Sequence, residues 1–272
     1  MDMMNIFLYV IIFIIGTVFG SFYTLAVYRI PKNIDIIKKN SYCPNCNNKL
    51  GFFELIPVLS YIFLGGKCKH CKKKIRPRYL ILEILSGISF VIFAQYLNLN
   101  IYTLNVYSII NYIFAILYFT AIILIAGIDK EYRKIDRRVL AYGVIISIIY
   151  MIYLYTIDST SIYRYAIYLA IYFVLLIIDT FMLRRYAKDC YIINILMLLN
   201  IVLIFTGLEK FILTVILTIM ATLIYFVLRK KLIKNKGNIK FKIEEIKLGF
   251  YIVASNIFFV FMANFIANYY FI

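Results

Sequence analysis

The sequence predicts an all-α integral membrane protein of about eight transmembrane helices. Three observations carry that reading. Of the 272 residues, 64% are hydrophobic, and the mean hydropathy is +0.88. The apolar residues gather into runs of roughly twenty, the length a helix needs to cross the hydrocarbon core of a bilayer. The basic residues fall almost wholly into alternate connections between those runs, the signature of membrane topology.

The first run covers residues 5–28. No Lys or Arg precedes it and it is long for a signal-peptide core, so it is expected to be a retained helix. A charged loop of residues 29–79 follows. Further runs occupy 80–97 (which contains Glu83), 103–128, 139–157, 162–183, 190–207, 210–228 and 248–270. The connections after the first, third, fifth and seventh runs carry twelve, five, three and eight of the 30 Lys and Arg, leaving only Arg164 and Lys210 on the other side. This one-sidedness places both termini outside and the long loop in the cytoplasm. It also accounts for the net charge of +17 without a nucleic-acid partner, and attraction to anionic lipid is a secondary consequence. The expected organisation is therefore a first transmembrane helix over 1–28, a cytoplasmic loop over 29–79 and a helical membrane bundle over 80–272.

The loop carries Cys43-Pro-Asn-Cys46 and, separated from it by twenty-one residues, Cys68-Lys-His-Cys71. Two Cys-x-x-Cys pairs at such a spacing match two zinc knuckles that together offer four thiolates to one tetrahedral ion. Chance clustering or two disulfides are the alternatives. A reducing cytoplasm argues against disulfides, and only Cys190 lies outside the four. Structural Zn2+ held by Cys43, Cys46, Cys68 and Cys71 is the expectation, with the metal supplying much of the folding energy of a loop poor in core residues. His70 is surplus to a closed four-cysteine site and is expected at the surface. Gly65-Gly66 suits a knuckle turn rather than a phosphate loop.

Acidic residues near the membrane are the other candidates for chemistry. Asp129 ends the third run and Asp189 lies between the fifth and sixth, both on the cytoplasmic side by the charge distribution. Ionisable groups at membrane depth are costly and are often functional. Two carboxylates brought together share a proton, so that one activates water while the other polarises a carbonyl. Whether these two meet is not a property that spacing reveals. Simple solvation is the default for Glu131, Asp136, Glu244 and Glu245. Asp179 competes from within the fifth run, and Glu83 lies close to Arg76 and Arg78 as a candidate ion pair. Cys190 reads as a packed apolar residue, and a Ser-His or Cys-His constellation would have to recruit His70 from the loop. A transporter with paired acids fits less well, because both acids fall at one face whereas transporter sites tend towards the midplane.

Several segments resemble the bacterial type IV prepilin peptidases, which are bifunctional leader peptidases and N-methyltransferases. Gly20-Ser21-Phe22 through Arg29-Ile30-Pro31 is similar to the family's Gly-Ser-Phe-Leu-Asn-Val-Val-Ile-x-Arg-Leu-Pro. Glu54-Leu55-Ile56-Pro57-Val58-Leu59-Ser60-Tyr61 is similar to its Glu-Asn-Ile-Pro-Leu-Leu-Ser-Tyr. Arg76-Pro77-Arg78-Tyr79 with Glu83 and Gly87 matches Ser-Pro-Arg-Tyr and the following Glu and Gly. With the four cysteines, these segments span roughly residues 16–87. Farther on, Asp129 and Ile135 fit the family's Asp-x-x-x-x-x-(Leu/Ile)-Pro-(Asp/Asn), with Asp136 and Arg137 at its last two positions. Asp189 has the offset of the aspartate in Gly-x-Gly-Asp-x-Lys, with Tyr186, Lys188 and Tyr191 in place of both glycines and the lysine.

The resemblance implies a multi-pass aspartic endopeptidase of the bacterial cytoplasmic membrane. Asp129 and Asp189 would be catalytic, cutting the basic leader from type IV prepilin or pseudopilin substrates after a glycine, with the substrate's apolar segment in the bilayer. It further implies methylation of the new N-terminus with S-adenosylmethionine as donor, in a region of about residues 10–90. The changed glycine motif keeps an alternative open: a catalytically inactive member that binds pilin precursors or assembly components.

Overall fold

The computed structural model describes residues 3–36, 40–43, 45–157, 162–186, 190–234 and 246–270, without the side chains of Tyr186 and of residues 230–234 and 263–270. Its helices are α1 (Met3–Arg29), α2 (Leu59–Phe63), α3 (Arg78–Tyr96), α4 (Val106–Tyr132), α5 (Arg137–Ile157), α6 (Ile162–Tyr186), α7 (Tyr191–Lys234) and α8 (Leu248–Tyr270). Short 3-10 turns cover Ile30–Lys32 and Phe52–Glu54. Among the described residues there is no strand, only two isolated bridges in the cysteine loop. The protein is thus an all-helical, multi-pass membrane protein.

Among the described residues, α1 and α3 to α7 are long and apolar enough to cross a membrane, six helices by length and composition. The sequence leads to eight, and the difference has two sources. Of α8, the stretch whose side chains are described, Leu248–Met262, is a shorter apolar helix. Helix α7 is interrupted at Gly207, whose φ of 76° and ψ of 167° are not helical. An unbroken helix of 44 residues would reach about 66 Å, roughly twice the hydrocarbon thickness. The break falls where the sequence reading ends its sixth run, and only glycine adopts that backbone without strain.

The chain forms two compact units, residues 1–116 and 117–272. In the first, α1 packs along α3. The contact is close because glycines face backbone: a Cβ on Gly16 would lie 2.8 Å from Gly87 Cα, and one on Gly20 would lie 2.7 Å from Glu83 Cα. Small residues four apart let membrane helices approach in this way, and dispersion then replaces the hydrophobic drive that lipid does not supply. At the far end, Asn5 Oδ1 accepts the Ile101 N–H at 3.0 Å and the Tyr9 hydroxyl donates to Leu99 O at 3.1 Å. These bonds pin the N-terminal half of α1 to the chain that leaves α3.

The second unit is built around the C-terminal half of α4, where Tyr118 to Asp129 is largely buried. Helices α5, α6 and α8 each pack on α7. Several polar side chains inside it are paired, as a bilayer without water favours. The Tyr118 hydroxyl donates to Asn256 Oδ1 at 2.7 Å, Asn256 Nδ2 donates to Thr214 Oγ1 at 3.3 Å, and Ser147 and Tyr172 share a bond of 2.7 Å. Phe205 stacks between Tyr118 and Tyr150, with ring centroids 4.4 and 4.6 Å apart.

Candidate metal centre and candidate active site

The cysteine loop is two copies of one backbone motif. In the first copy Cys43 N–H donates to Asn48 O, Asn47 N–H to Cys43 O, and Leu50 N–H to Ser41 O. In the second, Cys68 N–H donates to Lys73 O, Lys72 N–H to Cys68 O, and Ile75 N–H to Gly66 O. Tyr42 bridges Lys49 and Lys67 bridges Lys74 at equivalent places. Asn47 and Lys72, each following the second cysteine of its pair, both adopt left-handed backbone with φ of 56° and 57°. Such tight turns aim two sulfurs and the amides around them at a single point.

The four sulfurs lie within 4.8 Å of one another, a cluster that can hold a metal ion. Cys43 Sγ and Cys71 Sγ are 3.9 Å apart. A tetrahedral zinc with bonds near 2.3 Å sets its sulfurs about 3.8 Å apart, so the donor set and its spacing suit that ion. Burial pushes the Cys43 thiol up, but backbone hydrogen bonds from Asn45 and Cys46 and the neighbouring thiols outweigh it and bring it down to about 7. For Cys46 the Asn48 backbone lowers the value, while burial and the other three cysteines raise it to about 11. One thiolate forms readily; a full set needs a cation among them. His70 lies outside the cluster, 42% exposed, with Nε2 4.0 Å from Glu54 Oε1.

The segments around the cysteines tie this loop to the helix ends. The buried Arg29 guanidinium donates to Asp35 O at 3.0 Å and Asn40 O at 3.1 Å, folding the loop's entry against α1. Glu83 is not the ion pair its neighbours Arg76 and Arg78 led us to expect. Its Oε2 accepts the Val58 N–H at 2.8 Å, and Ser21 also hydrogen-bonds to it. Val58 has φ of 62°, a conformation that costs a β-branched residue about 1–3 kcal/mol, so the Glu83 carboxylate holds a strained turn in place.

In the second unit, Asp129 lies inside α4, which runs one turn beyond the end expected from sequence, to Tyr132. It is wholly buried. The Tyr191 hydroxyl donates to its two carboxylate oxygens at 3.0 and 3.1 Å, and Phe250 N–H donates to Oδ2 at 3.0 Å. Gly249 N–H donates to the Tyr191 oxygen at 3.3 Å. The first turn of α8 thus presents free amides to an acid and a phenol, an arrangement in which a helix N-terminus stabilises negative charge. Gly249 leaves room for this approach, because a Cβ there would stand 3.1 Å from Asp129 Oδ2. The Lys247 ammonium donates to Lys130 O, joining the start of α8 to the end of α4.

Asp189 lies outside the described residues. Glu244 and Glu245 lie outside the described residues too, whereas Asp136 and Asp179 have structural partners. Asp136 is buried rather than solvated: it caps α5 by accepting Arg138 N–H at 3.0 Å, and it also binds the Arg138 guanidinium. Asp179 receives two bonds of 2.9 Å from Arg137, which occupies it in an ion pair. Cys190 is a free thiol of intermediate burial. Sequence reasoning missed Tyr191 as a site residue. The signal was its position, two residues after Asp189, where the resembled motif has lysine.

The family model for the bacterial peptidase A24 N-terminal domain matches residues 14–97. A prepilin leader peptidase/N-methyltransferase of Vibrio cholerae is 39% identical over 87 residues, covering 29% of this chain and 34% of that protein. One of Bacillus subtilis is 34% identical over 132 residues, covering 48% and 50%, and one of Klebsiella pneumoniae is 34% identical over 92 residues, covering 32% and 40%. The matches thus span between a third and a half of the length of these relatives. No solved structure matches the chain. The matched region holds the four clustered cysteines, the Gly16–Gly20 face and the Glu83 tether, and over it the chain is similar to the N-terminal domain of the bacterial A24 peptidases and to the prepilin leader peptidase/N-methyltransferases.

Proposed function

We propose that the protein is a membrane-embedded aspartic endopeptidase that removes the leader of type IV prepilin or pseudopilin substrates at the cytoplasmic face of the bacterial plasma membrane. The carrying observation is the setting of Asp129: wholly buried, gripped by Tyr191 and by the first amides of α8. Tyr191 follows Asp189 by two residues, and two residues of chain reach at most about 7 Å. Asp189 itself lies outside the described residues, and its closeness in sequence to Tyr191 is what supports pairing it with Asp129.

In that dyad the ionised acid takes a proton from water as its oxygen adds to the scissile carbonyl, and the protonated acid donates to the carbonyl oxygen. Collapse of the tetrahedral adduct returns a proton to the leaving amine and breaks the C–N bond. The amides at the start of α8 hold Asp129 and Tyr191 in place, Phe250 N–H on Asp129 and Gly249 N–H on the Tyr191 oxygen. The substrate's apolar segment stays in lipid during the reaction, and nucleic acid has no part in it.

Residues 29–79 then form the cytoplasmic loop between the first helix and the peptidase-like bundle of 80–272. Cys43, Cys46, Cys68 and Cys71 hold structural Zn2+, which supplies cohesion to the loop rather than chemistry. Methylation of the new N-terminus, with S-adenosylmethionine as donor and a region of about residues 10–90 as its seat, rests on the relatives' names.

The test is leader cleavage of a co-expressed prepilin, read as a mobility shift, with Asp129→Asn and Asp189→Asn variants. Loss of processing in both is expected, and complete processing by Asp129→Asn overturns the assignment. One observation favours a second reading, an inactive member that binds precursors: a tyrosine, Tyr191, occupies the motif's lysine position and already donates to Asp129. Under that reading the wild-type protein leaves the prepilin uncut yet co-purifies with it.

A further inference from the structure

The segment between the two cysteine pairs carries large apolar side chains that the protein leaves uncovered. Phe52, Phe53, Ile62 and Phe63 are 78%, 80%, 62% and 83% exposed, although they lie outside every membrane-spanning helix. Exposed aromatics concentrated in so short a stretch mark a contact surface rather than chance.

Their position in the fold says what the contact is. The Val58 N–H bond to Glu83 ties the middle of this segment to the second turn of α3, a spanning helix that begins at Arg78. Glu83 in turn stands against Gly20 of α1. The aromatic segment is therefore held at the end of the α1–α3 pair and does not project away from it. Beside it on these helices, Phe22, Ile81, Leu82 and Leu85 are exposed, as lipid-facing residues of a membrane helix are. The aromatic surface continues that lipid-facing surface outwards.

Charge is segregated in the same sense. Residues 52–63 contain no Lys or Arg, whereas residues 67–78 contain seven and no acid. The cations in this stretch, including Lys67, Lys69, Lys72, Lys73 and Lys74, are exposed. An apolar aromatic element followed by a lysine cluster is the composition of an interfacial anchor, with rings among the upper acyl chains and ammonium groups on anionic headgroups.

We propose that residues 52–63 lie in the bilayer interface and that the lysine-rich second knuckle rests on anionic phospholipid, so that the cysteine module is docked on the membrane surface. The inference rests on the spanning of α1 and α3 and is independent of peptidase activity.

The chain contains no tryptophan, which makes an introduced indole a unique reporter. Phe63→Trp and Phe53→Trp are made separately in the full chain and reconstituted in phosphatidylglycerol-containing vesicles, with lipids brominated near the carbonyl end of the acyl chains. Ile14→Trp, at an exposed position within α1, serves as the lipid-embedded control. Quenching of the loop indoles by brominated lipid is expected, with little quenching by aqueous iodide and a severalfold weaker lipid effect in purely zwitterionic vesicles. Iodide quenching without lipid quenching overturns the proposal, because the rings are then in water. Protection from both quenchers, or a response to added prepilin alone, places protein on the surface and also overturns it. Equal lipid quenching in zwitterionic and anionic vesicles removes the headgroup specificity. Either variant alone decides the matter if the other fails to fold.

Discussion

The hydroxyl of Tyr191 lies 3.0 and 3.1 Å from the two carboxylate oxygens of Asp129, joining the start of α7 to the end of α4 across 62 residues of sequence. A hydrogen bond to a charged acceptor is worth about 1.5–3 kcal/mol, and a buried one lost from a reacting group costs rate in proportion. Tyr191→Phe keeps the ring and removes only the donor. Its leader cleavage is expected to fall by about tenfold or more, with folding intact, as read from initial rates on a prepilin in detergent. Unchanged rates would mean that the phenol does not steer Asp129.

How much of this was legible in the sequence follows from the range of the interaction. Helix positions came through because lipid sets both length and composition, and α5 and α6 begin within two residues of expectation. The clustering of the four cysteines came through because two local turns place them. Each turn even repeats the pattern Cys-x-x-Cys-x-x-Lys-(Leu/Ile), at 43–50 and 68–75, a signal that predicts the paired backbone motifs. Long-range partners were not legible. Nothing in the spacing announces that Tyr191 and the amides of α8 meet at Asp129, that Arg137 reaches Asp179, or that Glu83 serves a backbone amide instead of an arginine. The charge near Glu83 pointed to Arg76 and Arg78, but a strained Val58 amide is the harder group to satisfy and takes the carboxylate.

Because four sulfurs converge on one point, the two cysteine pairs should act as a unit. The purified protein is expected to carry about one zinc per chain. Cys43→Ser and Cys68→Ser, each removing the buried cysteine of one pair, should each abolish metal binding, since three thiolates leave the tetrahedral site open. Elemental analysis reads this directly. Two ions per chain, or half occupancy in either variant, would show two separate sites.

The glycine face of α1 makes a second stability prediction. At Gly16 and Gly20 a new Cβ meets partner backbone at 2.8 and 2.7 Å, and backbone cannot rotate aside. Gly16→Val or Gly20→Val must therefore separate α1 from α3, at a cost of about 1–3 kcal/mol. At Gly51 the nearest atom to a new Cβ is the Glu54 Oε2 carboxylate oxygen at 3.5 Å, so Gly51→Ala is the matched control. Thermal midpoints in detergent should drop for the two valine variants and hold for the control. Gly20→Val should also loosen the Val58 turn, since Glu83 sits against that glycine, and protease cleavage within 52–63 should rise. Equal midpoints across all three proteins would contradict the close helix contact.

Asp136 allows a pH test in which charge and capping separate. Burial alone would raise its carboxyl, but bonds from the Arg138 side chain and N–H outweigh burial and hold it below the usual carboxylate range. A pKa depressed on folding stabilises the protein above the unfolded value, and that stabilisation is lost as pH falls through the folded value. Asn caps a helix about as well as Asp, so Asp136→Asn keeps the bond to Arg138 N–H and loses only the ionic part. The stability gap between wild type and Asp136→Asn should be open at neutral pH and close on acidification below about pH 4. Asp136→Ala also loses the cap, so its gap should narrow with acid but level off at about 1 kcal/mol. Thermal unfolding in detergent across that pH range distinguishes the three proteins. A gap for Asp136→Asn that stays constant with pH would mean that the Arg138 pair contributes nothing through charge, leaving this acid as a cap alone.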